Sequence, residues 1–239
     1  MRIATWNIEW FTELFDDDGN ILADGEWSGR YDVTRAAQAE AIATVMTALD
    51  ADAVMIIEAP DASHRRSARV ALETFAEAFG LRTRRAVLGF ENATQQEIAL
   101  LFDPDALKAR HDPIGPEGGG HDALAAPRFD GSFEIDLDID ATPETVVWSK
   151  PPLELACRSA SGRAFRMIGV HAKSKAPHGV TGREAILRVA IQNRRKQLAQ
   201  CIWLRRRVEE HLAAADPLIV LGDFNDGPGI DEYEKLFGR

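Results

Sequence analysis

Residues 217–226 have the sequence Pro-Leu-Ile-Val-Leu-Gly-Asp-Phe-Asn-Asp, a run of branched apolar side chains followed by polar ones. Such a run is typical of a strand that is buried on both faces. Gly222 would break the strand and place Asp223 and Asn225 at its carboxyl end, where α/β proteins bind ligands. Because side chains alternate along a strand, Asp223 and Asn225 are predicted to point the same way, with Phe224 in the packing. An ordinary polar turn uses the same residue types, so this stretch alone leaves both a turn and a functional site open.

The chain of 239 residues has a formal net charge of −10, and its charges are unevenly distributed. Residues 1–150 carry 13 Lys and Arg against 28 Asp and Glu, a net of −15. Residues 151–239 carry 15 against 10, a net of +5. This distribution excludes a general nucleic-acid-coating protein, but the basic region can attract phosphate and the acidic part can attract divalent cations.

The sequence contains neither a predicted membrane span nor a predicted secretory leader. The longest apolar runs, such as residues 53–57, are far too short to cross a bilayer. The first residues lack a basic region followed by an apolar stretch, which predicts a cytoplasmic protein. Cys157 and Cys201 fit neither a disulfide framework nor a metal-ligand spacing, and they are predicted to be small buried side chains.

Residues 2–11 form a predicted strand that carries polar side chains. Asn7 and Glu9 are two residues apart, so they would lie on the same face of this strand. An amide and a carboxylate are costly to bury unless a partner satisfies them. Either a divalent cation or a hydrogen-bond network would supply that partner.

A further predicted strand, residues 52–59, repeats this design. Its apolar run ends in Glu58, and Pro60 stops the strand. A helix predicted over residues 35–49, with Thr34 as its cap, connects it to the opening strand. The strand–helix–strand unit places a second acidic group at a strand end, which favours a carboxylate-based site.

The middle of the chain is predicted to hold shorter elements and a loop rich in Gly and Pro at residues 111–132. A helix is predicted over residues 66–79, with Val70, Leu72, Phe75, Ala76 and Phe79 facing inward. Strand segments are predicted over residues 84–90, 97–102, 133–139, 145–148 and 153–158. We find no internal repeat and no composition break, which predicts a single domain over residues 1–239.

Residues 165–175 form another predicted strand, with His171 and Lys173 at its polar end. Alone, such a histidine is more typical of a structural residue, but the other polar strand ends favour a functional one. A long helix is predicted over residues 183–213. Its predicted apolar side comprises Ile186, Val189, Ala190, Leu198, Ile202, Leu204, Val208 and Leu212. Its charged side, interpreted as a solvated face, comprises Arg188, Arg194, Arg195, Lys196, Arg205, Arg206 and Arg207.

The polar strand ends occur in a fixed order along the chain: Asn7 with Glu9, then Glu58, then His171, then Gly222-Asp223-Phe224-Asn225. Together with Trp-Asn-Ile at residues 6–8, this order resembles the endonuclease/exonuclease/phosphatase superfamily. Pancreatic-type deoxyribonucleases, abasic-site endonucleases, sphingomyelinases and inositol-phosphate phosphatases belong to it. The resemblance spans residues 2–226. It implies an α/β (α+β) fold, a four-layer sandwich in which two mixed β-sheets pack face to face with helices outside.

The resemblance also implies a binding site for Mg²⁺ or Mn²⁺. Glu58 matches the main metal ligand of the family, and Asn7 and Glu9 complete that part of the site. Hard oxygen donors suit both cations, and several waters should remain on the ion. Glu97, or its neighbour Gln96, lies roughly where some relatives carry a Glu that supports the histidine.

The same resemblance implies residues that handle the phosphate group. His171 matches the histidine that contacts the scissile phosphate and can protonate the leaving group. Asp223 and Asn225 match the pair that orients the attacking water and holds the phosphate. Lys150 lies where relatives often place a phosphate-binding arginine.

The implied function is Mg²⁺-dependent hydrolysis of phosphate esters by a phosphodiesterase, nuclease or phosphatase. Nucleic acid, a nucleotide or a phospholipid head group would be the substrate. Relatives end with a Ser-Asp-His segment on a late strand, whereas no histidine follows Asp223 here. We therefore expect that the C-terminal strands are missing, as in a piece of a longer protein, and that a sheet edge is exposed. The alternative is an impaired relative, a domain that binds phosphate ligands or proteins without turnover.

Overall fold

The structure, a computed structural model, describes residues 1–91, 96–119, 124–136, 143–177 and 179–227. They form two compact units, the first from residues 1–113, 149–170 and 215–222, and the second from residues 114–148, 171–214 and 223 onward. In chain order the elements are β1 (Ile3–Asn7), α1 (Arg35–Leu49), β2 (Ala53–Ala59), α2 (Ala68–Ala78), β3 (Arg85–Leu88), β4 (Glu97–Phe102), β5 (Leu107–His111), β6 (Gly118–Gly119), β7 (Ser132–Ile135), β8 (Glu144–Val146), β9 (Leu153–Ser159), β10 (Ala164–His171), α3 (Arg183–Ala213) and β11 (Leu218–Asp223).

The first unit contains a four-stranded sheet in the order β1-β2-β4-β3. β1 and β2 run parallel, with Ile3 opposite Ala53, whereas β4 is antiparallel to both of its neighbours. A parallel pair needs a crossover connection, and α1 supplies it. This arrangement confirms the predicted strand–helix–strand unit.

Two helices cover one face of this sheet. α1 begins after Thr34, whose hydroxyl accepts a hydrogen bond from the Ala37 amide at 3.2 Å, as the sequence predicts. α2 begins after Ser67, which accepts from the Val70 amide at 3.3 Å. Phe75 and its neighbours on both helices share one apolar core with the outward side chains of β2 and β4. Val70, predicted to face inward, is 46% exposed because the buried side of α2 passes through Ala71, Leu72 and Phe75 instead.

A second four-stranded sheet, in the order β11-β10-β9-β5, packs against the other face of the first sheet. Met55 and Leu100 from the first sheet share a core with Leu155 and Met167 from the second. Gly169 permits this close approach, because a β-carbon there would lie 2.5 Å from the Met55 sulfur. The described residues therefore form an α/β fold with two sheets packed face to face, as expected.

β11 differs from its predicted environment. The sequence predicts a strand buried on both faces, but all its residues are partly or more exposed, with Ile219 at 37%. The prediction was wrong because, within the described residues, β11 pairs with β10 alone and forms the edge of the sheet. A strand at an edge lacks a second neighbour whose side chains would cover it.

The second unit contains α3 and the small sheet β6-β7-β8. Trp203 of α3 is fully buried against Phe129, Phe133 and Trp148, and its indole donates to the carbonyl oxygen of Pro127 at 2.9 Å. This aromatic cluster is the core of the unit. The small sheet replaces part of the predicted loop over residues 111–132.

The bounds of α3 confirm the prediction, but its buried side does not. Leu198 and Leu212, predicted to face inward, are 51% and 63% exposed. Arg207, predicted on the solvated face, is 1% exposed and donates to the carbonyl oxygens of Ala126 at 3.0 Å and Pro127 at 3.2 Å. Buried carbonyl groups need donors, so the neighbouring loop draws a guanidinium into the interior.

The remaining sequence predictions concern thiols, membrane spans and two short segments. Cys157 is a buried free thiol, as predicted, and burial raises its pKa to about 12; Cys201 is a partly buried free thiol. Within the described ranges, no helix is both long enough and apolar enough to cross a bilayer. The sequence also predicts a turn at residues 91–94 and a short helical piece at residues 231–237. Most of the turn and all of the helical piece lie outside the described residues. The single domain stays a prediction.

Candidate active site

Polar side chains of the first unit meet at the ends of β1 and β2. Asn7 is the last residue of β1, and its Nδ2 donates to Glu58 Oε1 at 3.5 Å. Gln96, immediately before β4, donates from Nε2 to Glu58 Oε2 at 3.0 Å. The Glu58 carboxylate therefore lies between two carboxamides, each of which contacts one of its oxygens.

The backbone at Glu58 has an unusual conformation. Its φ is 59°, in the left-handed region, and the register between β2 and β4 shifts between Ile57 and Ala59. A residue other than glycine in this region costs on the order of 1–3 kcal/mol, and such strain is concentrated at functional sites. Bulges also redirect side chains beside active sites. The bulge thus fixes the direction of the Glu58 carboxylate.

The donor set at this corner fits a hard divalent cation. Mg²⁺ is bound by protein oxygens through one or two carboxylates while it keeps several waters. Glu58 supplies one carboxylate, and Asn7 and Gln96 supply neighbouring amide groups. In the part of the chain that the structure describes, no cluster of three or more His, Cys, Asp or Glu could hold a metal.

Glu9 lies in a different environment from the one that the sequence predicts. β1 ends at Asn7 rather than continuing to residue 11, because Trp10 takes a left-handed φ of 63° and a 3₁₀ helix begins at Phe11. The prediction that Asn7 and Glu9 share a strand face was wrong for this reason. The Glu9 carboxylate is 57% exposed and forms an ion pair with Arg30 at 3.0 Å. Its role as a metal ligand stays a prediction.

A second group of predicted site residues meets in the second unit. His171 is the last residue of β10 and is 6% exposed. Its Nε2 lies 4.0 Å from Oδ2 of Asp223, the last residue of β11, and the Ala172 amide donates to the Asp223 carbonyl oxygen at 2.9 Å. The 4.0 Å distance is too long for a hydrogen bond, so this is an ion pair only when the imidazole is protonated.

The turn after Asp223 is held by its own side chains. Asp223 Oδ1 accepts from the Asn225 amide at 2.8 Å, and Asn225 Nδ2 donates to the Ala172 carbonyl oxygen at 2.9 Å. Asn225 has a φ of 52°, which asparagine tolerates better than most residues. β11 ends at Asp223, so the strand alternation on which the predicted common direction rests does not apply at Asn225.

Gly222 is required by the close approach of β10 to β11. Its φ is 140°, and a β-carbon there would lie 2.0 Å from the carbonyl oxygen of Val170. No other residue fits that space without moving the backbone. The glycine of the Gly-Asp-Phe-Asn stretch therefore has a steric reason within the sheet.

Gln197 is a positioning residue that the sequence prediction missed. It is 4% exposed, and its Nε2 donates to the carbonyl oxygens of Phe224 at 2.8 Å and Asn225 at 3.0 Å. Gln200, 1% exposed, accepts from the Lys173 amide at 2.8 Å. The signal in the sequence is two glutamines three residues apart, on the same helical stripe as Trp203. Together they anchor the segments that carry His171 and Asp223.

The remaining predicted site residues lie in the first unit. Lys150 is half-buried in the bend before Pro151, and its role in phosphate binding stays a prediction. Glu97 is 2% exposed at the start of β4, whereas Gln96 contacts Glu58. Support of the histidine by either residue stays a prediction.

The amino-acid sequence matches the endonuclease/exonuclease/phosphatase family over residues 4–238. Among solved structures, truncated TDP2 from Caenorhabditis elegans is 16% identical, with 79% of this chain and 55% of that chain covered and a TM-score of 0.39. ANGEL2, a 2′,3′-cyclic phosphatase in complex with adenosine-2′,3′-vanadate, is 14% identical, with 82% and 46% covered and a TM-score of 0.40. This chain spans about half the length of these structures. No match was found among curated protein sequences. Because the family match covers almost every residue, the chain belongs to the endonuclease/exonuclease/phosphatase family.

Proposed function

We propose that the chain hydrolyses phosphate esters with the help of Mg²⁺ or Mn²⁺. Membership of the family supports the phosphoesterase class in general. The observation that carries the proposal is the arrangement of His171, Asp223 and Asn225, in which a buried imidazole lies beside a carboxylate in a turn fixed by Gln197. The substrate would be a phosphodiester or phosphomonoester of a nucleic acid, a nucleotide or a phospholipid head group.

In this proposal the second unit binds the phosphate and moves protons. His171 would donate a proton to a phosphate oxygen or to the leaving group, and Asp223 would stabilise the imidazolium form. Asp223 and Asn225 would orient the attacking water, because the amide and side chain of Asn225 already fix both residues in one turn. Phosphate binding by Lys150, which lies in the first unit, stays a prediction.

The first unit would hold the cation through Glu58 and Asn7. A bound divalent cation would stabilise the negative charge that develops on the phosphate oxygens. Asn7 and Gln96 orient the Glu58 carboxylate by a hydrogen bond to each of its oxygens. The bulge at residue 58 restricts it further, so little reorganisation would be needed on binding.

The test is hydrolysis of bis-p-nitrophenyl phosphate with Mg²⁺ by isosteric variants. Glu58→Gln and Asp223→Asn each remove one negative charge and keep the size of the side chain. Each should lower kcat by at least about 10²-fold, the size expected for a lost electrostatic contribution. Glu209→Gln is the matched control, because Glu209 pairs with Arg205 on the exposed side of α3, and its rate should not change.

Native rates in both site variants would overturn the proposal. Added EDTA should abolish turnover, and Mg²⁺ or Mn²⁺ should restore it. If the native protein binds oligonucleotides, nucleotides or phosphoinositides but shows no Mg²⁺-dependent turnover with any of them, the alternative holds, a domain that binds phosphate ligands without turnover.

A further inference from the structure

We propose that the cleft between β8 and α3 binds backbone phosphates of an oligonucleotide. They would lie next to the phosphate that His171, Asp223 and Asn225 would bind. The cleft has a volume of about 550 Å³ and is lined by residues 144–147 and by Arg188, Ile191, Gln192, Arg195 and Lys196. The inference rests on the proposed function, because it assigns an oligonucleotide as the substrate of the same unit.

The basic side chains of the cleft form a row along α3. Arg188, Gln192 and Lys196 are four residues apart, so they lie on one face of the helix. Arg188 and Lys196 are separated by eight residues, or about 12 Å along the helix axis. This distance is larger than one phosphate group, so the two cations can contact different phosphates of one oligonucleotide. A row of this length suits repeated phosphates better than a single one.

The charge of the cleft is positive. Among the residues that line it, Glu144 is the acidic one, and Arg195 neutralises it in an ion pair. Arg188 and Lys196 contribute further positive charge to the lining. Burial, together with the nearby charge of Lys173, lowers the pKa of the Lys196 ammonium group. A phosphate in the cleft would offset the burial of the Lys196 charge and its repulsion by Lys173, because it supplies a negative charge.

The cleft is connected to the strand end that carries His171. The amide of Lys173, two residues after His171, donates to Gln200 Oε1 at 2.8 Å. Gln200 Nε2 in turn donates to the carbonyl oxygen of Val147 at 3.4 Å, and Val147 lines the cleft. One buried glutamine therefore joins the segment that follows His171 to the wall of the cleft.

Apolar side chains complete the cleft. Val147 and Ile191 are 46% and 45% exposed, and both are among the lining residues. Exposed aliphatic groups between cations can contact the sugars that lie between phosphates. This combination favours an oligonucleotide over inorganic phosphate or a mononucleotide, which would leave these groups in water.

The test measures binding of a fluorescein-labelled, ten-nucleotide single strand by anisotropy in EDTA, so that no cleavage occurs. The Arg188→Gln/Lys196→Gln double variant should raise Kd at least about tenfold. It should also reduce the slope of log Kd against log salt by about 1.4, because each phosphate neutralised by the protein contributes about 0.7 to the slope for a single strand. RNA and DNA versions of the strand show which sugar is preferred.

The matched control is the Lys108→Gln/Arg158→Gln double variant. It also removes two positive charges, from a basic cavity on the outer face of the second sheet in the first unit. Its Kd should equal that of the native protein. Circular dichroism checks that α3 is intact in every variant.

Several results would overturn the proposal. They are an unchanged Kd in the α3 variant, an equal loss of affinity in both double variants, no binding of the strand by the native protein, or tighter binding to phosphoinositide vesicles than to the strand. Failure of the proposed function gives a different result. If the native protein binds the oligonucleotide through α3 but does not cleave it with Mg²⁺, the proposed hydrolysis is contradicted and phosphate binding by the cleft is supported.

Discussion

At the scale of single residues, the group around Glu58 and the group around Asp223 share a backbone feature. Glu58 and Asn225 both have positive φ, 59° and 52°, although neither is a glycine. Each also has a side chain held by neighbours, Glu58 by Asn7 and Gln96, and Asn225 by Ala172. Positive φ is unfavourable for glutamate and less so for asparagine, and such strain is concentrated at functional sites. We infer that the backbone conformation of both residues lowers the free energy of unfolding and fixes the direction of the side chain.

A pair of variants at residue 58 tests this trade. Glu58→Gly and Glu58→Ala both remove the carboxylate, but only glycine adopts a φ of 59° without a steric cost. We expect Glu58→Gly to have a free energy of unfolding about 1 kcal/mol higher than Glu58→Ala, measured by urea denaturation. Both should be inactive. Equal stability of the two variants would show that the bend at residue 58 carries no strain.

The strand-end residues could be predicted at this scale, and their surroundings could not. Alternation and chain order are enough to single out Asn7, Glu58, His171 and Asp223. Glu9 was placed with Asn7 because a sequence pattern cannot show that Trp10 turns the chain left-handed. Local conformation of this kind depends on the burial of Phe11, which is a tertiary contact.

At the scale of elements, α3 shows why helix bounds are easier to predict than helix faces. Its bounds follow from periodicity and agree with the structure. Its buried side carries Gln197, Gln200, Arg207 and His211 beside Trp203, so hydrophobicity alone identifies the wrong stripe. Gln197 and Arg207 satisfy carbonyl oxygens of the turn and loop segments around the helix. β6 was missed for another reason, since a strand of two glycines has no detectable period.

Two arginines of α3 make a matched test of this interpretation. Arg207→Leu removes a buried guanidinium that pairs with Glu210 and satisfies the carbonyl oxygens of Ala126 and Pro127. It should lower the free energy of unfolding by about 3 kcal/mol, because these groups would be left buried without their donor. Arg205→Leu removes an exposed guanidinium, 72% accessible, that pairs with Glu209. Its effect should stay within about 1 kcal/mol. Similar losses in the two variants, read from urea denaturation, would contradict the structural role of Arg207.

At the scale of the whole molecule, part of the stability comes from arginine–carboxylate contacts. Arg82 forms ion pairs with Asp50 at 3.1 Å, Asp52 at 2.6 Å and Asp103 at 3.0 Å. The hydrogen bond from Arg82, with that from the Arg2 amide, lowers the pKa of Asp52 below its ordinary value of 3.8. The contribution is therefore present above about pH 4 and is lost as the pH falls through the lower folded value.

Acid stability should reveal this contribution. The urea midpoint of the native protein should fall between about pH 5 and pH 3, because Asp52 and similar carboxylates gain protons on unfolding. Asp52→Asn should be less stable at pH 7 and should lose less stability over the same pH range. An identical pH slope in the native protein and the variant would show that the Arg82 contact does not couple to folding.

The general architecture was predictable because it depends on order along the chain. Parallel β1 and β2 require a crossover helix, and the resemblance carried the expectation of two facing sheets. The fine fit between the sheets was not predictable, because Gly169 matters only in relation to Met55 on another strand. The net charge of +5 over residues 151–239 pointed to a basic region, but only the structure places Arg188 and Lys196 in one cleft.

Within the described residues β11 lies at a sheet edge, and this position predicts how the proposed activity would be lost. An edge strand with partly exposed side chains, such as Ile219, is less stable locally than β2, in which all residues but one are buried. Native proteins open locally from such low-stability segments at a free energy well below that of global unfolding. Asp223 is the last residue of this strand, so local opening of β11 would displace it while the sheet core stays folded. Warming or mild denaturant should therefore abolish the proposed hydrolysis before the circular dichroism of the protein changes.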